Sequence, residues 1–225
     1  MLPFQTAFIE HLVEFQVIRF GAFTLKSGRR SPYFVNAGQL RTGRAIAQLG
    51  HAYAAMIEQR GLACDLVFGP AYKGVPLAVA TAMSLGGGER GDVGFGFDRK
   101  EAKDHGEGGT FVGTAPADGM RVVIVDDVIT SGRSIRDAAD LVRGAANVSI
   151  TGVVVAVDRQ ERGQGERTTL AELRDDLGIA VHPIANIRQV VEHLRGTELG
   201  ARAGLDEARC AEIEAYLGVY GGRDA

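Results

Sequence analysis

Over residues 3–17 the apolar side chains Phe4, Phe8, Ile9, Leu12 and Val13 recur at helical spacing, and residues 20–28 then read as a strand running into a turn. The pattern predicts a helix followed by a β-hairpin. The helical period returns over residues 42–60 at Ile46, Leu49, Gly50, Tyr53 and Ile57, with Thr42 suited to cap the first turn and Gly61 to follow the last. From there the pattern alternates. An apolar run at 65–69 precedes a helical stretch at 75–85, a strand near 93–97 and another at 121–125. A helix with Ile135, Ala138, Ala139 and Val142 on one face follows, and then a long β-rich run at 148–157. Short unbroken apolar strands separated by helices need burial on both faces, which predicts an α/β fold with a doubly wound, mostly parallel sheet.

Residues 99–109 break the pattern: Ala102 is their only apolar residue and three of the last four are glycine, so they are expected to form a mobile loop. Residues 86–88, three glycines, read as a simple loop. Residues 198–217 read as a surface helix or helix pair with no chemistry of their own.

A chain of 225 residues is ordinary for one α/β domain with a short N-terminal extension. Lys and Arg number 25 against 28 Asp and Glu, so the net charge of −3 gives no global attraction to nucleic acid or to an anionic membrane. An anionic ligand must therefore be held by local cations. Cys64 and Cys210 share no metal-ligand spacing and read as inert thiols of a reducing compartment. The N-terminus has no basic segment followed by an apolar one, and no stretch reaches the roughly 18 apolar residues of a membrane span, so the cytoplasm is the expected location.

The most informative stretch is VVIVDDVITSGRS at 122–134, where a buried strand ends in two acids and runs into a glycine-containing turn that opens a helix. Ligands of open α/β sheets bind at the carboxyl ends of strands. Around that point Thr130, Ser131, Gly132, Arg133 and Ser134 offer backbone N–H groups, hydroxyls and the positive end of a helix dipole, which suits a phosphate monoester. The acids suit a sugar, since adjacent carboxylates accept hydrogen bonds from vicinal hydroxyls and stabilise positive charge on a ribose ring. Taken alone, two acids after an apolar strand also fit a metal-binding strand or a structural acid pair.

This stretch resembles the phosphoribosyl diphosphate motif of type I phosphoribosyltransferases. Four further segments are similar to bacterial orotate phosphoribosyltransferases, nearly without gaps from Phe4 to about Gly165: FTLKSGRRSPYF at 23–34, FGPAYKG at 68–74, RKEAKDHGEGG at 99–109 and DRQERG at 158–163. The resemblance implies the type I fold, with residues 1–40 as a hood of helix and β-hairpin and 99–110 as a mobile catalytic loop. It implies Mg²⁺-dependent transfer of ribose 5-phosphate from phosphoribosyl diphosphate to orotate, the ion being bound mainly through that substrate with no direct protein ligand.

By the same resemblance Asp126 and Asp127 contact the ribose hydroxyls, and Val128, Ile129, Thr130, Ser131, Gly132, Arg133 and Ser134 surround the 5-phosphate. Tyr72 and Lys73 bind diphosphate, which Arg99, Lys100, Lys103 and His105 cover from the loop. Lys103 acts on the departing group with the two acids as catalytic partners. Lys26 reaches both substrates, and orotate meets Phe34, Val35, Thr130 and Arg159, whose planar fork suits a carboxylate. A second aromatic often stands at the Val35 position in the family. The resemblance also implies a cis peptide bond between Ala71 and Tyr72, and a homodimer whose active sites are shared across the interface, with no nucleic-acid or membrane partner. His11, His51, His182 and His193 are expected to do structural or surface work. The competing readings are transfer to another base, which predicts indifference to Arg159, and a non-catalytic sensor of phosphoribosyl diphosphate, which predicts an added basic module.

Overall fold

A computed structural model of the chain describes residues 1–25, 28–86, 91–99, 109–129 and 131–224. Helix α1 (Pro3–Glu14) carries proline in its first turn, where a missing N–H leaves no bond unmade. It leads into the antiparallel hairpin of β1 (Ile18–Thr24) and β2 (Arg30–Val35). Helix α2 (Gly43–Gln59) opens on the Thr42 side chain, which accepts from the Ala45 N–H, and is followed by Gly61 at φ 62°. The remaining elements are β3 (Leu66–Phe68), α3 (Gly74–Gly86), β4 (Gly94–Asp98), β5 (Phe111–Gly113), β6 (Arg121–Val128), α4 (Arg133–Ala145), β7 (Ser149–Asp158), α5 (Thr169–Leu177), β8 (Val181–Asn186), α6 (Ile187–Leu194), α7 (Glu198–Arg202) and α8 (Glu207–Tyr220).

The main sheet has the order β5-β4-β3-β6-β7-β8, parallel except for β5 at one edge. After β3 the chain places β4 on one side of that strand and β6 on the other, so the strand order reverses between β3 and β6. A crevice opens at their carboxyl ends, the position where sheets of this kind bind ligands. Residues alternate across the sheet. Leu66, Phe68, Val122, Ile124, Val153 and Val155 pack with α4 and α5 on one face, while Val67, Val123, Val125, Val154 and Ala156 pack with α1, α2, α3 and α6 on the other. Both faces are buried, which is why the strands read as continuous apolar runs. On α4 the buried residues are the predicted stripe, Ile135, Ala138, Ala139 and Val142. Close approach of α2 to α3 depends on Gly50, since a Cβ there would lie 2.4 Å from the Ala80 carbonyl oxygen.

The structure corrects one expectation: residues 198–217 are not merely a surface helix pair. Helix α8 buries Cys210, Ile213, Tyr216 and Leu217 and packs against β2. The pattern also names no strand at β8, where Pro183 interrupts an otherwise plausible run. This strand lies at the edge of the sheet, where a missing N–H is tolerated. Among the described residues no helix is long and apolar enough to cross a membrane.

Candidate active site

Strand β6 does not end at the acid pair but runs through it, and Asp126 and Asp127 are each only 7% exposed. Asp126 Oδ1 accepts from the Asp127 N–H at 2.9 Å and Oδ2 from the Ser134 hydroxyl at 2.6 Å, while the Tyr53 hydroxyl donates to the Asp126 carbonyl at 2.7 Å. Burial is the main force on the Asp126 carboxyl and raises its pKa above the ordinary value. The Ser134 hydrogen bond pulls it down, and the neighbouring charge of Asp127 pushes it up again. Asp127 Oδ2 takes Lys73 Nζ at 2.6 Å, a bond that spans the crevice. The lysine side chain is 64% exposed, so the pair is cheap to break when an anion arrives.

Lys73 stands on a tight loop after β3. The loop closes because Gly69 and Gly74 touch: a Cβ on Gly69 would lie 2.0 Å from the Gly74 carbonyl oxygen, and the Gly74 N–H donates to the Pro70 carbonyl at 2.9 Å. The peptide bond from Ala71 to Tyr72 is cis, as the family resemblance implied. Asp98, at the end of β4, accepts from the Ala71 N–H at 2.6 Å and anchors this loop. Sequence reading missed Asp98, although an acid at the carboxyl end of a strand is the same signal that marked Asp126. Tyr72 is exposed.

On the other side of the acids, α4 opens on Gly132 at φ 70° with no side-chain cap. Any side chain there would press on Leu173, whose atoms lie 2.8 Å from an added Cβ. The first-turn N–H groups of α4 are thus reachable by an anion. Ser131 and Ser134 flank them; the Ser131 hydroxyl accepts from the Arg133 N–H at 3.4 Å. The Arg133 side chain points to solvent beside Asp137 at 3.5 Å. Ile129 is buried in the core, so it can offer only main chain to a ligand, while Val128 is partly buried beside Asp127. Arg99 follows β4, and its N–H donates to the Thr110 carbonyl at 2.8 Å. Lys26, Lys100, Lys103, His105 and Thr130 lie outside the described residues, as does most of the predicted loop at 99–109.

Beside β6, strand β7 delivers Arg159 to the same carboxyl edge. Arg159 is 6% exposed, and its guanidinium lies over the Tyr33 ring at 4.3 Å and donates from Nε and Nη2 to one oxygen of Glu161 at 3.0 and 2.6 Å. Nη2 also reaches the Ser31 hydroxyl at 3.2 Å. Burial works against its charge, but Tyr33 and Glu161 outweigh that and hold its pKa above the ordinary arginine value. Phe34 stacks on Phe23 at 5.6 Å, and Val35 lines a small apolar cavity with Tyr53, Leu77 and Asp127. Sequence reading matched the planar fork of Arg159 to a carboxylate and gave Glu161 no role. The structure instead joins them, and brings in Tyr216 of α8, which donates to Glu161 Oε1 at 2.7 Å. No local pattern announces Tyr216.

Residues 36–178 match the phosphoribosyl transferase domain family. The chain is 49% identical over 221 residues to the orotate phosphoribosyltransferase of Thioalkalivibrio sulfidiphilus, covering 98% of this chain and 100% of that protein. The chain belongs to the orotate phosphoribosyltransferase family. A second member, from Lachnoclostridium phytofermentans, is 43% identical over 222 residues, 98% of this chain and 99% of that protein. The crystal structure of the orotate phosphoribosyltransferase of Francisella tularensis superposes with a TM-score of 0.81 at 35% identity, covering 96% of this chain and all of that one. Membership makes the chain a pentosyltransferase of the type I fold.

Proposed function

We propose that the chain transfers ribose 5-phosphate from phosphoribosyl diphosphate to a ring nitrogen of orotate, giving orotidine 5-phosphate and diphosphate in pyrimidine biosynthesis. One observation carries the reading: neighbouring strands β6 and β7 bring a buried acid pair and a buried guanidinium to one edge of the sheet. The bond from the anomeric carbon to diphosphate breaks, positive charge develops on the ribose ring, and the orotate nitrogen adds from the opposite face with inversion. Asp126 and Asp127 hold the ribose hydroxyls and oppose that charge with theirs. The open N-terminus of α4, with Ser131, Gly132, Arg133, Ser134 and Thr130, cradles the 5-phosphate. Lys73 exchanges Asp127 for diphosphate, and Arg99, Lys100, Lys103, His105 and Lys26 add cations from the segments around it. Arg159 receives the orotate carboxylate, and the Phe34 and Val35 main chain borders the base.

The residues fit a Mg²⁺ ion carried by the substrate. Asp127 is tied to Lys73 and Asp126 to Ser134. Asp126 and Asp127 would meet the ion only through the ribose hydroxyls; when bound it neutralises charge on the leaving diphosphate. We further propose a cytoplasmic two-fold dimer in which the 99–110 loop of one subunit closes over the other's diphosphate, excluding water as it does so.

The test is a purified-protein assay with phosphoribosyl diphosphate, Mg²⁺ and, in turn, orotate, uracil, hypoxanthine and nicotinate. Orotate should be the only good acceptor. Arg159→Ala should raise the orotate KM on the order of 10²-fold, as expected for loss of a buried charged hydrogen bond, and spare the other substrate. Turnover of uracil equal to that of orotate would overturn the reading.

A further inference from the structure

Glu161 is a half-buried carboxylate that the reaction does not use, standing beside the guanidinium meant for a substrate carboxylate. It could act as a competitor for that guanidinium or as its holder, and the geometry separates the two. Both bonds from Arg159 go to Oε1 and come from Nε and Nη2, one side edge of the guanidinium; neither they nor the bond to Ser31 uses Nη1. Glu161 and Ser31 together use both Nη2 hydrogens, and Nη1 remains for a ligand. Glu161 is itself held by groups from two other parts of the chain. Tyr216 donates to Oε1 at 2.7 Å, and Arg29 Nη1 donates to Oε2 at 3.2 Å. The charges agree with a holder: two guanidiniums, Arg29 and Arg159, share one carboxylate, which leaves one positive charge for one incoming carboxylate.

The end of the chain locks this arrangement. The Arg162 N–H donates to the Tyr220 carbonyl at 2.9 Å, the Gly222 N–H to the Gln160 carbonyl at 3.0 Å, and the Thr168 N–H to Asp224 Oδ1 at 2.7 Å. The segment that carries Arg159 and Glu161 is therefore strapped to the end of the last helix and to the residues just after it, one turn and more beyond Tyr216.

We propose that Glu161 is a positioning residue for the base: it fixes the Arg159 guanidinium in the orientation that receives the orotate carboxylate, and Tyr216 of the last helix fixes Glu161. This rests on the reading that Arg159 binds orotate. A charged hydrogen bond of this kind orients as well as attracts, and its loss lets a long side chain explore other rotamers.

Steady-state KM and kcat for both substrates are measured for Glu161→Gln, Tyr216→Phe, Arg159→Ala and the double variant Arg159→Ala/Glu161→Gln, with thermal melting as the check on folding. Glu161→Gln should raise the orotate KM on the order of tenfold and leave that for phosphoribosyl diphosphate within about twofold. Tyr216→Phe, which removes one oxygen, should move the orotate KM the same way by about two- to fivefold. Added to Arg159→Ala, Glu161→Gln should change nothing more, because its effect passes through the guanidinium. The proposal falls if Glu161→Gln leaves or lowers the orotate KM while Arg159→Ala raises it, since Arg159 then binds without help. It also falls if the double variant shows the full product of the single effects. An Arg159→Ala enzyme with unchanged orotate KM removes the parent reading and this one with it.

Discussion

Strand β6 begins and ends with an aspartate problem, and the two ends solve it in opposite ways. At its amino end Arg121 meets Asp65, which precedes β3: the Arg121 N–H and Nε both donate to Asp65 Oδ2 at 2.8 Å, and Nη2 pairs with Oδ1. That carboxyl is held at about 2, mainly by the arginine hydrogen bonds. Roughly 16 Å along the strand, Asp126 is buried and its pKa is raised. The first aspartate is ionised where ionisation stabilises the fold. The second would have to be ionised for the proposed chemistry where burial and its neighbour resist it. A group kept against its electrostatic preference is what a functional site requires and a structural one does not.

The largest effect expected from this contrast is a change that improves the fold while ruining the chemistry. Asp126→Asn keeps the shape, and the amide can still accept from the Asp127 N–H and donate to the Ser134 oxygen. It removes a charge that helps the ribosyl cation, so kcat should fall on the order of 10² or more, and Asp127→Asn likewise. The sign for stability follows from the raised pKa. Asp126 contributes most to folding below its unfolded value and loses that contribution as pH rises through the folded one. At neutral pH its charge is a burden, and the melting temperature of Asp126→Asn should exceed that of wild type. A lower melting temperature at pH 7 would show that the carboxylate is structural and that the contrast between the ends is wrong.

A smaller effect concerns what keeps Asp126 ionised at all. The Ser134 hydroxyl is 2.6 Å from Oδ2 and lowers the pKa that burial raises. Ser134→Ala removes that pull, so the pKa should rise further and the acidic limb of the kcat/KM profile should move to higher pH. Some loss of affinity for phosphoribosyl diphosphate is also expected, because Ser134 borders the anion pocket, but loss of affinity alone would lower the profile without shifting its limb. A profile of unchanged limb position would mean that the Asp126 charge does not set activity in that range.

The two halves of the proposed site, one for the sugar phosphate and one for the base, differ in how far the sequence exposes them. The sugar-phosphate half lies mostly within residues 122–134, because one strand, one turn and one helix suffice to converge acids, glycine and hydroxyls on a point. A local pattern can therefore announce it. The α/β alternation was legible for the same reason, since both faces of each inner strand are buried. The base half draws Ser31 and Tyr33 from β2, Arg159 and Glu161 from the segment after β7, and Tyr216 from α8. No window of sequence contains it. Arg159 was found only through resemblance to a family, Glu161 sat unassigned within a quoted motif, and Tyr216 looks like any buried aromatic of an amphipathic helix.

The smallest effect belongs to the other end of the strand. The folded Asp65 carboxyl is held at about 2 against an ordinary 3.8, so its contribution is present above the ordinary value and disappears as pH falls through about 2. Its side chain is 35% exposed and that of Arg121 is 52%, so solvent screens the pair heavily. Asp65→Asn should therefore cost only about 0.2–1 kcal/mol in urea unfolding at pH 7. The cost should shrink with added salt and fade at strongly acid pH as the wild-type carboxyl takes up a proton. Both KM values and kcat should stay at wild-type levels, because the amino end of the sheet lies opposite the proposed site at the carboxyl ends of the strands. A fall in kcat comparable to that of Asp126→Asn would mean that the register of β6 against β3, which the Asp65 and Arg121 bonds help to set, reaches the acid pair, and the two ends could no longer be treated as independent.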